Sequence, residues 1–188
     1  DASDSSQFVS GLLLAGSRAE SPLTIRHVGD SLPSVPHIDM TIGVLRSAGI
    51  AAEHRFDGTH HEWTVTPREF SAGEVVIEPD LSNAGPFLAA AMVTGGVVSI
   101  EHWPESTTQP GDFFRTILTR MGASVERFDD DIEFSGTGTI HGIDCDLSAA
   151  GELTPTIAAL AVLADSPSHI RGIRHLRGHE TDRVHALA

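Results

Sequence analysis

Apolar positions along the chain fall into two alternating textures. One is a small polar lead followed by a run dense in alanine and leucine. It occurs as Ser5-Ser6-Gln7-Phe8 before Val9 to Ala15, as Asn83-Ala84-Gly85-Pro86-Phe87 before Leu88 to Val93, and as Glu152-Leu153-Thr154-Pro155-Thr156 before Ile157 to Ala164. Pro86 and Pro155 sit where proline suits the first turn of a helix, so each run is predicted to be helical. A short β-like stretch follows each: Leu23 to Val28, Val97 to His102 and His169 to Ile173. The second texture opens at an aspartate (Asp39, Asp112 or Asp182), and in the first two cases reaches a glycine, Gly49 or Gly122. That spacing predicts an amphipathic helix with an acid at its start and a glycine at its C-terminal cap. Paired strands are predicted next, Ala51 to Phe56 with Glu62 to Pro67 and Ser124 to Phe128 with Ile132 to Ser135. Asp57-Gly58 and Asp129-Asp130-Asp131 read as the turns between them.

The elements repeat with a period of about 70 residues, and the unit they spell is βαβαββ. Spacing supports it: Phe87 to Asp112 and Ile157 to Asp182 both span 25 residues, while Phe8 to Asp39 spans 31. A boundary is predicted near Glu74 to Asp80, where strand-like Val75-Val76-Ile77 meets a Pro-Asp turn. Splitting there gives residues 1–77 and 78–188. The first copy lacks its opening strand and the third stops inside its second helix. Sequence is therefore expected before Asp1 and after Ala188, and these 188 residues by themselves are expected not to turn over.

Composition narrows the classes. The net charge is −14, with 26 acidic residues against 12 basic ones; all 12 are arginine, and there is no lysine or tyrosine. Such a surface repels nucleic acid and anionic membrane, because phosphate backbones require a positive footprint. No apolar run nears the roughly 18–20 residues of a membrane span. Cys145 is the single cysteine, which leaves no internal disulfide framework and suits a reducing cytosol, so the chain is expected to be cytoplasmic.

Three stretches carry a resemblance. Asp1 to Phe8 (D-A-S-D-S-S-Q-F), Glu78 to Phe87 (E-P-D-L-S-N-A-G-P-F) and His175 to Arg183 (H-L-R-G-H-E-T-D-R) resemble, in order, segments of the shikimate-pathway enolpyruvyl transferases. Gln109-Pro110-Gly111-Asp112 and Met121-Gly122-Ala123 fall in place between them. The resemblance implies an α/β fold of repeated βαβαββ units, the inside-out α/β barrel type, with parts of two domains present. It implies transfer of the enolpyruvyl group of phosphoenolpyruvate to the 5-hydroxyl of shikimate 3-phosphate, with release of phosphate. It implies no metal or organic cofactor, these two small molecules as the partners, and a monomer at full length.

The same resemblance assigns residues. Ser5, Ser6 and Gln7 would hold the phosphate of shikimate 3-phosphate at a helix start, where unpaired N–H groups favour an anion. Taken alone, a Ser-Ser pair is an ordinary N-cap. Ser34 aligns with a further phosphate contact, and His37 replaces a tyrosine. Glu152 aligns with a carboxylate, usually aspartate, that takes the proton of the attacking hydroxyl, although an acid there could merely stabilise the next helix. Glu180 aligns with the acid that moves the proton at the phosphoenolpyruvate methylene, and Arg183 with the partner of its carboxylate. By spacing alone Glu180 and Arg183 are an i, i+3 surface pair. His179 stands where relatives carry lysine and His175 where they often carry asparagine; both could donate to shikimate 3-phosphate. His175 and His179, with Glu180 adjacent, also have a spacing a zinc site could use, but the order is not H-E-x-x-H and the sequence offers no third ligand. Two other readings share the pattern: the UDP-N-acetylglucosamine enolpyruvyl transferases, whose acceptor should not need the S-S-Q-F segment, and a non-catalytic binding module of the same fold.

Overall fold

A computed structural model of the chain describes residues 1–71, 73–178 and 181–188. The chain divides into two compact units, Asp1–Val76 and Ile77–Ala188.

The first unit runs α1 (Gln7–Gly16), β1 (Leu23–Arg26), α2 (Val35–Ser47), β2 (Ala51–Phe56) and β3 (His61–Thr66). Its sheet has the order β1-β3-β2, with both neighbours antiparallel to β3 and Trp63 opposite Ile25 on one side and His54 on the other. Alternation along the strands sends Ala52, Trp63 and Val65 inward, where Leu13, Ile38 and Ile42 of the two helices cover them. Burying side chains of this size contributes roughly 1.5–3 kcal/mol each. Thr41 of α2 donates its hydroxyl to Ser10 of α1 at 2.9 Å, which ties the N-terminal halves of the helices together.

The second unit repeats the plan with α3 (Gly85–Thr94), β4 (Val97–Ile100), α4 (Phe113–Arg120), β5 (Ser124–Phe128) and β6 (Asp131–Ser135), in the sheet order β4-β6-β5. Trp103, Phe114 and Phe134 centre its core, and the buried Trp103 ring donates its Nε1 proton to Asp112 at 2.7 Å. After this block come β7 (Asp144–Asp146), α5 (Thr154–Val162), β8 (His169–Arg171) and α6 (Arg183–Leu187), with β7 and β8 parallel. No helix among the described residues is long and apolar enough to cross a membrane.

The equal strand order of the two three-stranded sheets is the predicted repeat in physical form. The glycine caps also stand: Gly49 and Gly122 have φ of 80° and 110°, and the next amides, of Ile50 and Ala123, reach back to the carbonyls of Leu45 and Leu118 at 2.9 Å.

Two expectations are corrected. Asp39 does not open α2, which starts at Val35 behind Ser34 with Pro36 in its first turn; the Asp39 carboxylate lies 3.6 Å from His54 of β2 instead. Asp112, by contrast, stands at the start of α4 as expected, its carboxylate engaged by Trp103 and, at 3.3 Å, by Arg115. Val75-Val76-Ile77 is not a strand: Val76 and Ile77 are 89% and 83% exposed. β-branched residues favour a strand only where a neighbouring edge is free to pair with them.

Candidate functional site

In the first unit the predicted phosphate contacts all stand at helix starts. Ser6 is the N-cap of α1, is 7% exposed, and makes no side-chain capping bond. Its carbonyl accepts from Val9 and Ser10 at 3.0 and 3.2 Å. Ser5, half-buried, accepts the Gln7 amide proton on its hydroxyl oxygen at 3.2 Å, while the Gln7 side chain is exposed. The first turn of a helix presents N–H groups with a partial positive charge, so this end of α1 is suited to an anion despite the net charge of −14.

Ser34 holds the same position at α2 and does so under strain. Its backbone has φ 53° and ψ 41°, the left-handed region, and its side chain makes no capping bond. For a residue with a Cβ this conformation costs about 1–2 kcal/mol. Only three non-glycine residues among those described have positive φ, Ser34 among them. A strained serine at a helix start, with its hydroxyl uncommitted to the helix, is the kind of outlier that points to a binding role.

In the second unit Glu152 lies in a single 3-10 turn, Gly151–Leu153, that leads directly into α5. It is half-buried, and the contact that defines its surroundings comes from the residue before it. A Cβ on Gly151 would lie 2.5 Å from Nε2 of His175 and 3.1 Å from Cδ2 of Leu176. The absence of a side chain at Gly151 lets the imidazole of His175 lie flush against the turn that carries Glu152. Two residues assigned separately in the sequence are thereby brought to one place. His175 itself is half-buried in the 3-10 turn Arg174–Gly178, anchored by the fully buried Leu176 next to it.

Arg183 opens α6. The Asp182 carboxylate before it accepts the His185 amide proton at 2.9 Å and pairs with Arg177 at 2.9 Å. The backbone N–H of His185 is the main cause that holds the Asp182 carboxyl below its ordinary range, with Arg177 adding to it. Asp182 is thus a cap that sets the direction of α6 and so places Arg183. His179 and Glu180 lie outside the described residues, and the zinc alternative depends on both. Among the described residues no group of three histidine, cysteine or acidic side chains converges on one point.

Sequence reasoning did not reach Gly151, whose role is to leave room for a ring 24 residues away. The helix start expected at Asp182 does stand there, and its carboxylate makes the cap by accepting the His185 amide proton.

The family whose sequence model is described as EPSP synthase (3-phosphoshikimate 1-carboxyvinyltransferase) matches residues 1–188. The 3-phosphoshikimate 1-carboxyvinyltransferase of Kocuria rhizophila is 55% identical over 189 residues, which cover 100% of this chain and 42% of that protein. The one from Tropheryma whipplei is 50% identical over 183 residues, covering 97% of this chain and 40% of that protein. The chain therefore spans about two fifths of the length of these relatives. Among solved structures, an EPSP synthase from Acinetobacter baumannii matches with a TM-score of 0.67 at 24% identity, over 97% of this chain and 42% of that one, a likeness of fold.

Proposed function

We propose, starting from the fact that the chain belongs to the EPSP synthase family, that in a chain of its relatives' length these residues serve enolpyruvyl transfer. The group moves from phosphoenolpyruvate to the 5-hydroxyl of shikimate 3-phosphate, and inorganic phosphate leaves. In this reading residues 1–77 belong to one domain of the fold and 78–188 to the other, and the enzyme works in the cytoplasm as a monomer on small-molecule substrates, without a metal or organic cofactor. The observation that carries the reading is the match of the whole chain to one family, at 55% identity to a protein of that name.

The chemistry divides into addition and elimination. In addition the acceptor oxygen bonds to C2 of phosphoenolpyruvate, its proton passes to a base, and a proton is added to the C3 methylene. In elimination the C2–O bond to phosphate breaks, C3 gives up a proton, and the double bond returns. Ser5, Ser6 and Gln7, with the amides of α1, hold the acceptor phosphate, and Ser34 supplies a further hydroxyl. Glu152 takes the acceptor proton from the turn that Gly151 packs against His175, and His175 and His179 donate to the acceptor. Glu180 moves the methylene proton, and Arg183 forms a planar pair with the carboxylate of the donor. Groups with opposite proton duties must differ in protonation at the start, and that difference is what separates the roles of Glu152 and Glu180.

The test is isotopic. In deuterated water, with both substrates present, reversible addition should wash deuterium into the phosphoenolpyruvate methylene. Glu180→Gln should suppress exchange and turnover together by roughly 100-fold or more, the usual scale of acid–base catalysis. Near-normal exchange in that variant would remove Glu180 from the role.

A further inference from the structure

We propose that His27 is a positioning residue for the phosphate-holding start of α1, acting through Ala2 and Ser5 without touching the ligand. The inference deepens the reading of Ser5 and Ser6 as phosphate contacts and rests on it.

His27 directly follows β1, and its amide donates to the carbonyl of His61 in β3 at 2.9 Å, so its backbone is held to the sheet. The side chain is 5% exposed, and Nδ1 accepts the amide proton of Ala2 at 3.2 Å. A neutral imidazole has one donor and one acceptor nitrogen, so acceptance at Nδ1 assigns the proton to Nε2. That Nε2 is buried and has no hydrogen-bond partner among the described residues. An aliphatic side chain would fill the same space without burying an unpaired donor. What histidine provides here that such a side chain could not is the bond to Ala2.

From Ala2 the connection continues to the site. Ala2 is 4% exposed, its methyl group lies in the core of the first unit, and its carbonyl accepts the Ser5 amide proton at 3.2 Å. Ser5 in turn accepts from Gln7 at 3.2 Å, the first residue of α1. A continuous series of hydrogen bonds therefore runs from β3 through His27, Ala2 and Ser5 to the helix start. Gly29 keeps the arrangement closed, since a Cβ there would overlap Asp1, Ser3 and the His27 ring. His27 also begins the loop that leads to Ser34.

The experiment compares His27→Leu, His27→Asn and the double variant Ser5→Ala/Ser6→Ala, each in a chain of the relatives' length. Affinity for shikimate 3-phosphate is read by calorimetry and amide exchange at Ala2 and Ser5 by NMR. His27→Leu should weaken binding by about five- to tenfold, the scale of one lost hydrogen bond, and speed exchange at both amides. His27→Asn, whose side-chain carbonyl can accept from Ala2, should recover most of both losses, which a purely space-filling role would not produce. Wild-type affinity in His27→Leu, alongside a loss in the serine variant, would overturn the positioning role and leave the phosphate reading standing. Wild-type affinity in the serine variant would instead overturn the phosphate reading. His27 is then judged by exchange, and unchanged protection of Ala2 and Ser5 in His27→Leu refutes it. Should His27→Leu fail to fold, the ring-nitrogen spectrum of the unsubstituted protein decides: a proton on Nε2 supports the assignment and a proton on Nδ1 refutes it.

Discussion

Gly151→Ala tests the contact that joins the two halves of the second-unit site. The added methyl carbon would start 2.5 Å from Nε2 and 3.1 Å from Cε1 of His175, and 3.1 Å from Cδ2 of Leu176. Carbon and nitrogen rest at about 3.5–4.0 Å, so something must retreat by roughly 1 Å. Leu176 is fully buried and cannot yield, so the displacement falls on the half-buried His175. Overpacking usually costs 1–3 kcal/mol, and release through the ring places the expected loss at about 1 kcal/mol. That corresponds to a fall of about 2–8 °C in melting temperature for a domain of this size class. Function should suffer more, because a misplacement of about 1 Å at a reacting site can cost on the order of 100-fold in turnover. The assay is a double-mutant cycle with His175→Ala, read by thermal unfolding and by phosphate release. In the His175→Ala background the closest contact is gone and only the 3.1 Å approach to Leu176 remains, so Gly151→Ala should cost clearly less in stability. Strict additivity of the two substitutions would refute the account of Gly151.

Two further outcomes are expected. Ser34→Gly removes the left-handed penalty of about 1–2 kcal/mol but adds roughly 0.5–1 kcal/mol of chain entropy to the unfolded state, so stability should be unchanged or rise by up to about 1.5 kcal/mol. Shikimate 3-phosphate affinity should nevertheless fall, and a variant that is both less stable and equally tight would contradict the strain reading. His61 supplies the pH prediction: burial chiefly, then neighbouring His54 and His27, hold its imidazole below the ordinary value, with Asp39 opposing. Since the unfolded chain then binds the proton more readily, stability is full above the ordinary histidine value of about 6.5 and is lost as the pH falls through the lowered value. The loss of melting temperature between pH 7.5 and pH 5 should be smaller in His61→Gln; an equal loss would remove His61 as a source.

Much of this fold was legible because local chemistry and tertiary packing agree. Alanine- and leucine-rich runs behind small polar leads became α1, α3 and α5, and the glycines at 49 and 122 closed α2 and α4. The paired strands around Asp57-Gly58 and Asp129 fell within one residue of expectation. Failures came where a partner distant in the chain decides. Val75 to Ile77 has strand chemistry and no strand to pair with, while Asp144-Cys145-Asp146 has little strand chemistry yet pairs with His169 to Arg171. α2 starts at Val35, with Pro36 in its first turn, and Asp39 faces His54 of β2 instead of opening the helix. The candidate site divides in the same way. Serines before a helix and an acid before a helix are readable in one dimension. The Gly151–His175 and Ala2–His27 contacts span 24 and 25 residues and emerge only in the fold.

The central claim is that these residues serve transfer of an enolpyruvyl group to shikimate 3-phosphate. It is tested most directly by phosphate release from phosphoenolpyruvate in a chain of the relatives' length, with one acceptor supplied at a time. Release should require shikimate 3-phosphate and should fall by roughly 100-fold or more in Glu152→Gln, while Glu152→Asp retains most of it. Release that requires UDP-N-acetylglucosamine instead, or that is indifferent to Glu152→Gln, would contradict the account.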